Sequence, residues 1–373
     1  MKKNIGIITN ARADSGVGGR AHELISHMPA NADVAFHLVR IDGEEHVITV
    51  DAKRVAMQRP WPGVLGMKSI AWLRLAKKIP KFDGYDISNQ SLSFIARTRQ
   101  PSLITVHDVI ERTDPQSVLS APLNRYLMSG IPNAQHIVTV SEYVKRSIVK
   151  IYSIPTEHIS VIYNGVGEQF APVQDFRSTV AYQTVIKDLR LPVPGPYILY
   201  VGSEHPRKNV KTILRTISQL KSQYPNIVLL KVGDPGLLSG RRETLRLIDD
   251  YALQNNVKLL GKVSDELLQD FYHAADALLM PSYMEGSGMP ILEAMASGCP
   301  VVCSNATAIP EIAGDAAHMH DPDDVAGFTQ SIGELIETPA MRKRVIRLGV
   351  VQAKKFSWNT AAQQTLELYT KFL

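Results

Sequence analysis

Short runs of isoleucine, leucine and valine alternate with helix-like segments along almost the whole chain, and this alternation restricts the fold more than any other feature. In the first half the strand-like runs cover residues 4–9, 34–39, 103–106, 136–140 and 159–162. They do not alternate strictly between apolar and polar residues, which is typical of parallel strands covered on both faces. The pattern predicts an α/β fold with parallel strands, and Ser141 is the expected N-cap of a helix over 141–151.

The rhythm is interrupted at 170–196, where prolines accumulate, and then resumes. The second series of strand-like runs covers residues 197–201, 227–232, 257–260, 276–280 and 300–303. A length of 373 residues agrees with two domains at about 150 residues each. We therefore predict two facing, doubly wound domains, with the first over 1–172, a linker over 173–196 and the second over 197–355. Ligands of such sheets bind beyond the carboxyl ends of the strands.

The composition is that of an ordinary globular chain, with 45% hydrophobic and 21% charged residues, which excludes disordered and fibrous classes. The net charge of +5 suits a phosphate-bearing ligand or an acidic membrane surface and gives little support for nucleic-acid binding. No apolar run approaches the roughly 18 residues of a spanning helix, and the first apolar stretch is too short for a signal peptide. We expect a cytoplasmic protein.

The two cysteines, Cys299 and Cys303, agree with a reducing compartment. If the run between them is a strand, their thiols lie on one face about 13 Å apart, beyond the reach of a disulfide. We interpret both as small buried hydrophobic residues. The alternative is a metal site with two ligands.

The first strand of each half is followed by a segment suited to an anion. SGVGGR at 15–20 precedes a helical segment, although its spacing is not that of the dinucleotide fingerprint. In the second half Gly202 ends the strand, and Arg207 and Lys208 stand before a helix expected to begin near Asn209. Two cations and unpaired backbone N–H groups at one point suit a diphosphate. The alternatives are a plain glycine turn and ordinary surface cations.

A pair of glutamates near the end of the second series is the strongest signal. Glu285 lies in a loop with Gly286 and Gly288, and Glu293 follows in a predicted helix whose first turn holds Pro290. A carboxylate accepts two hydroxyl hydrogen bonds, so it suits the vicinal diols of a ribose or hexose. Because the neighbours of Glu293 are apolar and a buried carboxylate without a partner is costly, we expect it to have a specific partner.

Two further segments have competing interpretations. The string Asp321-Pro322-Asp323 is interpreted as the cap and first turn of a helix, with a metal site as the alternative. The run 68–79, wound as a helix, separates Trp72 and other apolar residues from the cations Arg74, Lys77 and Lys78. We favour ordinary packing of this helix on the sheet, and the alternative is contact with an anionic membrane.

Together these motifs resemble those of the retaining nucleotide-sugar glycosyltransferases of family 4, also called group 1, which have the GT-B fold. The resemblance extends over nearly the whole chain and includes TVHDV at 105–109, TVSEY at 139–143, VIYNGV at 161–166 and the closing FSWNTAAQQTLELY. It implies an acceptor-binding first domain and a donor-binding second domain, both doubly wound and Rossmann-like. It also implies a last helix, 356–373, that returns to the first domain.

The resemblance further assigns roles to individual residues. Arg207 and Lys208 would neutralise the leaving diphosphate, and these cations would take the place of a metal. His107 would point at the donor sugar, Asp108 would fix its loop, and Glu285 would contact the hexose. The predicted catalytic set is thus His107, Arg207, Lys208 and Glu285, with same-face attack as the route to retention. The predicted donor-binding set is Gly18, Gly19, Gly202, Gly286, Ser287, Gly288, Met289 and Glu293, with Glu293 on the ribose and the base near Lys262 and Val263.

Two departures from the family pattern bear on donor preference. Ser287 stands where the family usually has an aromatic or apolar residue, and VGDPG at 232–236 replaces the commoner VG-x-G. The HDV loop resembles that of mannosyltransferase members, which favours GDP-mannose as donor, with UDP-glucose and UDP-N-acetylglucosamine next. The expected acceptor is a glycan or glycolipid, with peripheral contact at the inner face of a membrane as an alternative.

Two other classes of protein stay open at this stage. Sugar-nucleotide epimerases share the two-domain architecture, and release of free nucleoside diphosphate would separate a transferase from such an isomerase. A non-catalytic GT-B subunit should lack one of the charged donor contacts, and none is missing from this sequence.

Overall fold

The computed structural model describes residues 3–9, 16–29, 34–40, 47–49, 79–109 and 121–373. The chain divides into two compact units. The first comprises Met1–Gly165 together with Ser357–Leu373, and the second comprises Val166–Phe356. The first unit is therefore discontinuous in sequence, while the second is a single stretch of chain.

The described residues of the first unit form a seven-stranded sheet in the order β3-β2-β1-β4-β5-β6-β7, parallel except for the antiparallel pair of β2 and β3. Its strands are β1 Lys3–Thr9, β2 Val34–Arg40, β3 Val47–Thr49, β4 Gly84–Ile87, β5 Ser102–Val106, β6 His136–Thr139 and β7 Ile159–Val161. The five runs predicted in this half are confirmed as strands within one residue at either end. The sequence analysis missed β3 and β4.

Helices follow the strands of this sheet. They are α1 Gly16–Ser26, α2 Ala121–Leu127, α3 Glu142–Tyr152 and, from the end of the chain, α12 Trp358–Phe372; 3-10 turns cover Gln90–Arg97, Ile131–Asn133 and Thr156–His158. The predicted cap of α3 is confirmed, because the Ser141 hydroxyl accepts a hydrogen bond from the Val144 N–H. The apolar core lies between these helices and the strands, and Ile8, Ile87 and Ile104 are fully buried in it.

The second unit contains a six-stranded sheet in the order β10-β9-β8-β11-β12-β13, and every pair of neighbours is parallel. Its strands are β8 Tyr197–Val201, β9 Val228–Val232, β10 Val257–Gly261, β11 Ala277–Met280, β12 Val301–Ser304 and β13 His318–His320. The five predicted runs are again confirmed, with small shifts at their ends. Because β8 pairs with both β9 and β11, the strand order reverses at β8, and such a switch point is where doubly wound sheets bind ligands.

The helices of the second unit surround this sheet. They are α4 Val180–Leu189, α5 Val210–Gln223, α6 Leu238–Asp250, α7 Asp265–Ala274, α8 Met289–Ala296, α9 Ile309–Ala313, α10 Val325–Glu337 and α11 Pro339–Ala353; 3-10 turns cover Phe176–Ser178, Pro206–Lys208 and Gly314–Ala316. The helix cap predicted within residues 321–323 lies at Asp324 instead. Asp324 caps α10 by accepting a hydrogen bond from the Gly327 N–H, while Asp321 accepts one from the N–H of Asp323 in the preceding turn.

The segment expected to be a linker over 173–196 belongs to the second unit. Phe176 is buried and contacts the rings of Tyr182 and His273, and Arg177 forms an ion pair with Asp276 at 2.6 Å. Prolines at both ends of the segment delimit a short packed helix here, so the interruption in the sequence rhythm does not mark a free connection.

The last helix, α12, belongs to the first unit. Its Tyr369 is buried, stands 5.8 Å from the ring of Phe36, and donates a hydrogen bond at 2.5 Å to Asp86 of β4. Gly84 lies so close to Leu373 that a Cβ at this glycine would meet the Leu373 Cβ at 2.7 Å. The helix therefore packs closely on β4 because Gly84 has no side chain, and the hydrogen bond from Tyr369 to Asp86 joins the two elements.

Both cysteines are free and buried, as the sequence analysis expected. Burial raises the pKa of Cys299 to about 12 and that of Cys303 still further, so neither thiol is a reactive thiolate at neutral pH. Among the residues that the structure describes, no helix is both long enough and apolar enough to cross a membrane.

Candidate functional site

The two predicted phosphate-binding cations lie just beyond the carboxyl end of β8. Gly202 follows the strand with a φ of 156°, and a Cβ there would stand 2.7 Å from the Tyr200 hydroxyl oxygen. Pro206–Lys208 then form a 3-10 turn. Asn209 is left-handed and caps α5, and its side-chain amide donates to the Pro281 and Pro322 carbonyls. Buried hydrogen bonds thus fix the loop immediately after Lys208.

The structure brings Arg207 and Lys208 together with Glu285. The Lys208 Nζ stands 2.6 Å from the Glu285 Oε1, and the Arg207 Nη1 stands 3.8 Å from the Glu285 Oε2. Arg207 also donates to the Met284 carbonyl. The Glu285 side chain is 7% exposed and that of Arg207 is 28% exposed, so the arginine is the more accessible cation. Two cations share one buried carboxylate, which leaves positive charge available to an anionic ligand.

The loop after Glu285 leads directly into α8. Gly288 is left-handed with a φ of 59° and precedes α8, whose first turn holds Pro290. Gly286, Ser287 and Met289 complete the turn at the amino end of this helix. In the first turn of α8, Pro290 has no N–H and the Ile291 N–H donates to the Gly288 carbonyl at 2.9 Å, which leaves the Met289 N–H for an anion or a hydroxyl.

Glu293 lies on α8, one turn beyond this loop. The Tyr272 hydroxyl donates a hydrogen bond to its Oε2 at 2.7 Å, which supplies the specific partner expected for this carboxylate. Burial raises the pKa of Glu293 to about 7; Tyr272 opposes this shift and Asp265 adds to it. The second carboxylate oxygen is not engaged by Tyr272, so one edge of the carboxylate remains for a diol.

The residues predicted to lie near the base follow β10. This strand ends at Gly261, which has a φ of 65° and open space where its Cβ would be. Lys262 is exposed and Val263 is half-buried. Both stand at the same carboxyl edge of the sheet as Gly202 and the Gly233 turn, because β8, β9 and β10 run parallel.

In the first unit, His107 stands just beyond β5 and is buried. Its Nε2 lies 2.9 Å from the Ser88 carbonyl oxygen, and its backbone N–H donates to the Gln90 side chain. Gln90 in turn donates to Asp108, in agreement with a loop-fixing role for that carboxylate. Burial, followed by the charge of Arg20, lowers the pKa of His107 to about 4. The imidazole is therefore neutral at physiological pH.

The predicted glycine loop at 15–20 is largely helical. Gly18 and Gly19 lie within α1, and Ser15 lies outside the described residues. Helix begins at Gly16, and Arg20, one turn later, is buried with its guanidinium donating to the Asn164 side chain. The helix begins at Gly16, so Gly18 and Gly19 lie in the first turn of α1 and not in a loop that precedes the helix. Their role in donor binding stays a prediction.

Several residues of the site were missed by the sequence analysis. Thr307 is left-handed with a φ of 56°, and its hydroxyl accepts a hydrogen bond from the Glu285 N–H. Tyr272 and Arg20 hold their partners from distant parts of the sequence. No local pattern identifies such residues. The one available signal was the position of Thr307 shortly after β12, because ligand sites gather at strand ends.

The structure bears on two alternatives that the sequence left open, a metal site and a helix in contact with a membrane. In the part of the chain that the structure describes, no group of three or more histidine, cysteine, aspartate or glutamate residues is arranged to hold a metal ion. The amphipathic run 68–79 lies outside the described residues except for Ile79, which is buried.

Both halves of the chain match models of known protein families. Residues 15–170 match the model of Glycosyltransferase Family 4, and residues 182–349 match that of Glycosyl transferases group 1. O-antigen chain mannosyltransferase B from Escherichia coli is 30% identical over 284 residues, covering 74% of this chain and 72% of that protein. The serotype-specific mannosyltransferase WbdA from Escherichia coli is 28% identical over 276 residues, covering 72% of this chain. The alignment spans 33% of WbdA.

Among solved structures, HepE from Anabaena in complex with UDP-glucose has a TM-score of 0.77 at 18% identity. The superposition covers 99% of this chain and 100% of that one. At this identity the likeness concerns the fold, and it extends through both units. Since the sequence relationship to the mannosyltransferase covers most of both proteins, the chain belongs to the group 1, family 4 glycosyltransferases and has their GT-B fold of two Rossmann-like domains.

Proposed function

We propose that this glycosyltransferase moves a mannosyl group from a nucleoside-diphosphate sugar to a growing O-antigen polysaccharide, with retention of anomeric configuration and without a metal. The observation that carries the proposal is the cluster of Arg207, Lys208 and Glu285 beyond the carboxyl end of β8. Such a cluster suits a ligand that brings both a diphosphate and sugar hydroxyls to one place.

The chemistry of the leaving group explains why two cations are useful. When the bond between the anomeric carbon and the β-phosphate oxygen breaks, negative charge grows on the diphosphate. Cations already in position stabilise that charge without reorganisation at the moment of reaction. Arg207 can pair with two phosphate oxygens through its planar fork, whereas Lys208 acts as a compact charge. We assign both to the diphosphate, which removes the need for a divalent cation.

Retention requires either a covalent intermediate or attack on the face that the diphosphate is leaving. A covalent route needs a carboxylate that is free to act as a nucleophile. Both oxygens of Glu285 lie within 4 Å of cations, at 2.6 Å from Lys208 and 3.8 Å from Arg207, which makes this carboxylate a poor nucleophile. We therefore propose same-face attack, in which the acceptor oxygen bonds to the anomeric carbon and its proton passes to the departing β-phosphate.

The remaining assignments follow from chemistry and from the relatives. Glu293 offers a carboxylate edge to the ribose diol, and Glu285 binds hexose hydroxyls. The segment of Lys262 and Val263 borders the base, and His107 contributes to transfer as a neutral imidazole. The choice of mannose and of an O-antigen acceptor rests on the names of the relatives, which are O-antigen chain and serotype-specific mannosyltransferases. GDP-mannose is accordingly the first donor to test.

The experiment is a transfer assay with purified protein, an oligosaccharide of a mannose-containing O-antigen, and GDP-mannose, UDP-glucose or UDP-N-acetylglucosamine. We expect nucleoside diphosphate release and mannose incorporation with GDP-mannose, unchanged by EDTA. NMR of the product should show the anomeric configuration of the donor. Loss of activity in EDTA with recovery in magnesium would contradict the metal-free mechanism, and an inverted product would contradict same-face attack.

The same assay separates the other classes of function. Conversion of the donor sugar without acceptor-dependent mannose transfer would indicate an isomerase. If no donor is consumed and no nucleotide binds, the chain is a non-catalytic subunit. A lysine control keeps the result specific. Lys208→Ala should abolish most turnover, whereas Lys211→Ala, which removes an exposed cation from the second position of α5, should not.

A further inference from the structure

A second cluster of charged residues lies beside the loop 202–209, here called the phosphate loop because it carries Arg207 and Lys208. The cluster contains none of the residues assigned to the reaction. Glu204 follows β8, Lys231 is on β9 and Arg241 is on α6. The Glu204 Oε1 stands 3.0 Å from the Lys231 Nζ and 2.8 Å from the Arg241 Nη2, and its Oε2 accepts a hydrogen bond from the Arg241 Nε. The side chains of Glu204 and Lys231 are 0% and 1% exposed.

Burying these charges costs free energy that a pair of apolar side chains would not. Burial lowers the pKa of Lys231, and Glu204 opposes that shift, so the ammonium depends on this carboxylate. Arg241 donates a hydrogen bond to one oxygen of Glu204 and stands at ion-pair distance from the other. A charged cluster that is costly to bury calls for a reason other than stability.

The cluster also joins the backbones of two loops. The Glu204 N–H donates to the Pro235 carbonyl at 2.9 Å, so the loop after β8 is tied to the turn after β9. Lys231 donates to the Gly233 carbonyl in the same turn. At the start of α6, a Cβ on Gly240 would meet the Glu204 carbonyl oxygen at 2.0 Å, so the helix can approach only because this residue is glycine.

The position of Glu204 in the chain connects this cluster to the reaction. Arg207 and Lys208 follow three and four residues later, and the backbone between them is a single 3-10 turn closed by the Lys208 N–H on the His205 carbonyl. The other end of that turn is held by Asn209. A displacement at Glu204 would therefore be transmitted to Arg207 and Lys208, since the stretch between the two anchors is short.

We propose that Glu204, held by Lys231 and Arg241, is a positioning residue that fixes the loop 202–209 so that Arg207 and Lys208 meet the diphosphate in productive geometry. The inference rests on the proposed function of those two cations. It assigns a role to Glu204 and Lys231, which touch no reacting atom, and it predicts that donor and nucleoside diphosphate binding will respond to them while acceptor binding will not.

The chain supplies a matched control for this proposal. Asp276 is also buried between two cations, with its Oδ1 2.6 Å from the Arg177 Nη2 and 3.2 Å from the Arg342 Nη1. It precedes β11 and accepts a hydrogen bond from the N–H of Tyr197 at the start of β8, so it stands at the opposite edge of the same sheet. Asp276→Asn is therefore the same chemical change as Glu204→Gln, made away from the phosphate loop.

The test compares Glu204→Gln, Asp276→Asn and the double variant Glu204→Met/Lys231→Met. For each variant the melting temperature, the Kd for GDP and UDP by calorimetry, and kcat with KM for donor and acceptor are measured. We expect Glu204→Gln to weaken nucleotide binding and to lower kcat by about 10- to 100-fold, the effect of a small misplacement of a catalytic group. The acceptor KM should stay at its wild-type value. Asp276→Asn should keep wild-type binding and kcat.

The double variant separates positioning from stability. Because it removes the carboxylate together with the buried ammonium, its melting temperature should lie closer to that of the wild type than the melting temperature of Glu204→Gln does. Its nucleotide affinity and kcat should stay low. Recovery of activity together with stability, or an equal loss of activity in Asp276→Asn, would overturn the positioning role. If the wild type itself neither binds nucleotide nor transfers sugar, the proposed function fails and the positioning role fails with it. Wild-type activity retained in Glu204→Gln overturns only the latter.

Discussion

The Thr307 hydroxyl accepts a hydrogen bond from the backbone N–H of Glu285 at 2.9 Å, and Thr307 adopts a left-handed backbone to do so. A φ of 56° is unfavourable for a β-branched residue, and such strain costs about 1–3 kcal/mol. The surrounding structure holds Thr307 in this conformation beside Glu285, where the loop 285–288 begins. Backbone strain of this kind clusters at functional sites.

Substitutions at Thr307 should therefore separate stability from activity. Thr307→Gly relieves the strained backbone but removes the hydroxyl, so its melting temperature should stay near that of the wild type while kcat/KM for the donor falls by about 10-fold. Thr307→Ser keeps the hydroxyl and should retain most activity. Equal activity of the glycine and serine variants in a steady-state assay would show that the hydrogen bond does not position Glu285.

Removal of either phosphate cation should affect turnover more than donor affinity. We expect Arg207→Ala and Lys208→Ala each to lower kcat by about 100-fold or more, as found when one charge-stabilising donor is removed from a transition state. Glu285→Gln should keep part of the activity, because an amide still forms hydrogen bonds with hydroxyls. Steady-state kinetics decide the matter. A change confined to KM would mean that the cations bind donor and transition state equally well.

Donor binding should depend on pH through Glu293. Burial raises the pKa of this carboxyl to about 7 from an ordinary 4.5. The ionised form is the one that we propose to accept the ribose hydroxyls. Donor KM should therefore increase as the pH falls from 8 to 6, because the carboxyl becomes protonated. Glu293→Gln, which does not titrate, should remove this dependence.

Tyr272→Phe is the companion variant. The Tyr272 hydroxyl stabilises the carboxylate, so its removal raises the pKa of Glu293 further and should move the midpoint of the KM profile to higher pH. An unshifted midpoint in Tyr272→Phe would show that another group controls the profile.

His107 should act without changing its protonation state. Burial and Arg20 hold its pKa at about 4, so turnover between pH 6 and 8 should contain no step from this imidazole. His107→Ala should reduce kcat while the product keeps the anomeric configuration of the donor. The measurements are kcat as a function of pH and product NMR. A kinetic step near pH 6.5 that disappears in His107→Ala would contradict a neutral role.

The hydrogen bond between Tyr369 and Asp86 should contribute to folding. Tyr369→Phe leaves the Asp86 carboxyl without this donor in a site where burial already raises its pKa. We expect a loss of about 1–3 kcal/mol in the free energy of unfolding, the cost of an unsatisfied buried polar group. Urea denaturation followed by circular dichroism measures it. Tyr126→Phe, which removes the hydroxyl of a half-exposed tyrosine in the same unit, is the control and should have little effect.

The strands that were predictable from sequence are those whose local composition matches their burial. Runs of isoleucine, leucine and valine gave β1, β8 and β9 with ends correct to one residue, since both faces of these strands are covered. The four-residue strand β4, Gly84–Ile87, was missed because it contains a glycine and an aspartate, which locally favour a turn. Its glycine admits Leu373 and its aspartate binds Tyr369, and both partners come from the far end of the chain.

The residues of the candidate site also divide into those that the sequence predicts and those that it does not. Arg207, Lys208 and Glu285 follow strands and carry charge, so local sequence and the family resemblance sufficed to predict that they belong to one site. Thr307 and Glu204 look unremarkable in sequence, since their importance lies in the partner atoms that tertiary structure brings to them. The helical conformation of Gly18 and Gly19 was also not predictable, because glycine-rich turns and helix starts share the same composition.

The discontinuity of the first unit has a consequence for synthesis on the ribosome. The second unit, Val166–Phe356, emerges as one uninterrupted stretch, whereas the first unit lacks α12 until residues 357–373 have been translated. Until then apolar side chains such as Ile5 and Phe36 lack the Tyr369 and Leu373 that pack with them in one cluster, and Asp86 has no tyrosine partner. Of these two units, the discontinuous one is therefore completed second, and its unfinished sheet is the part exposed to chaperones and proteases in the meantime.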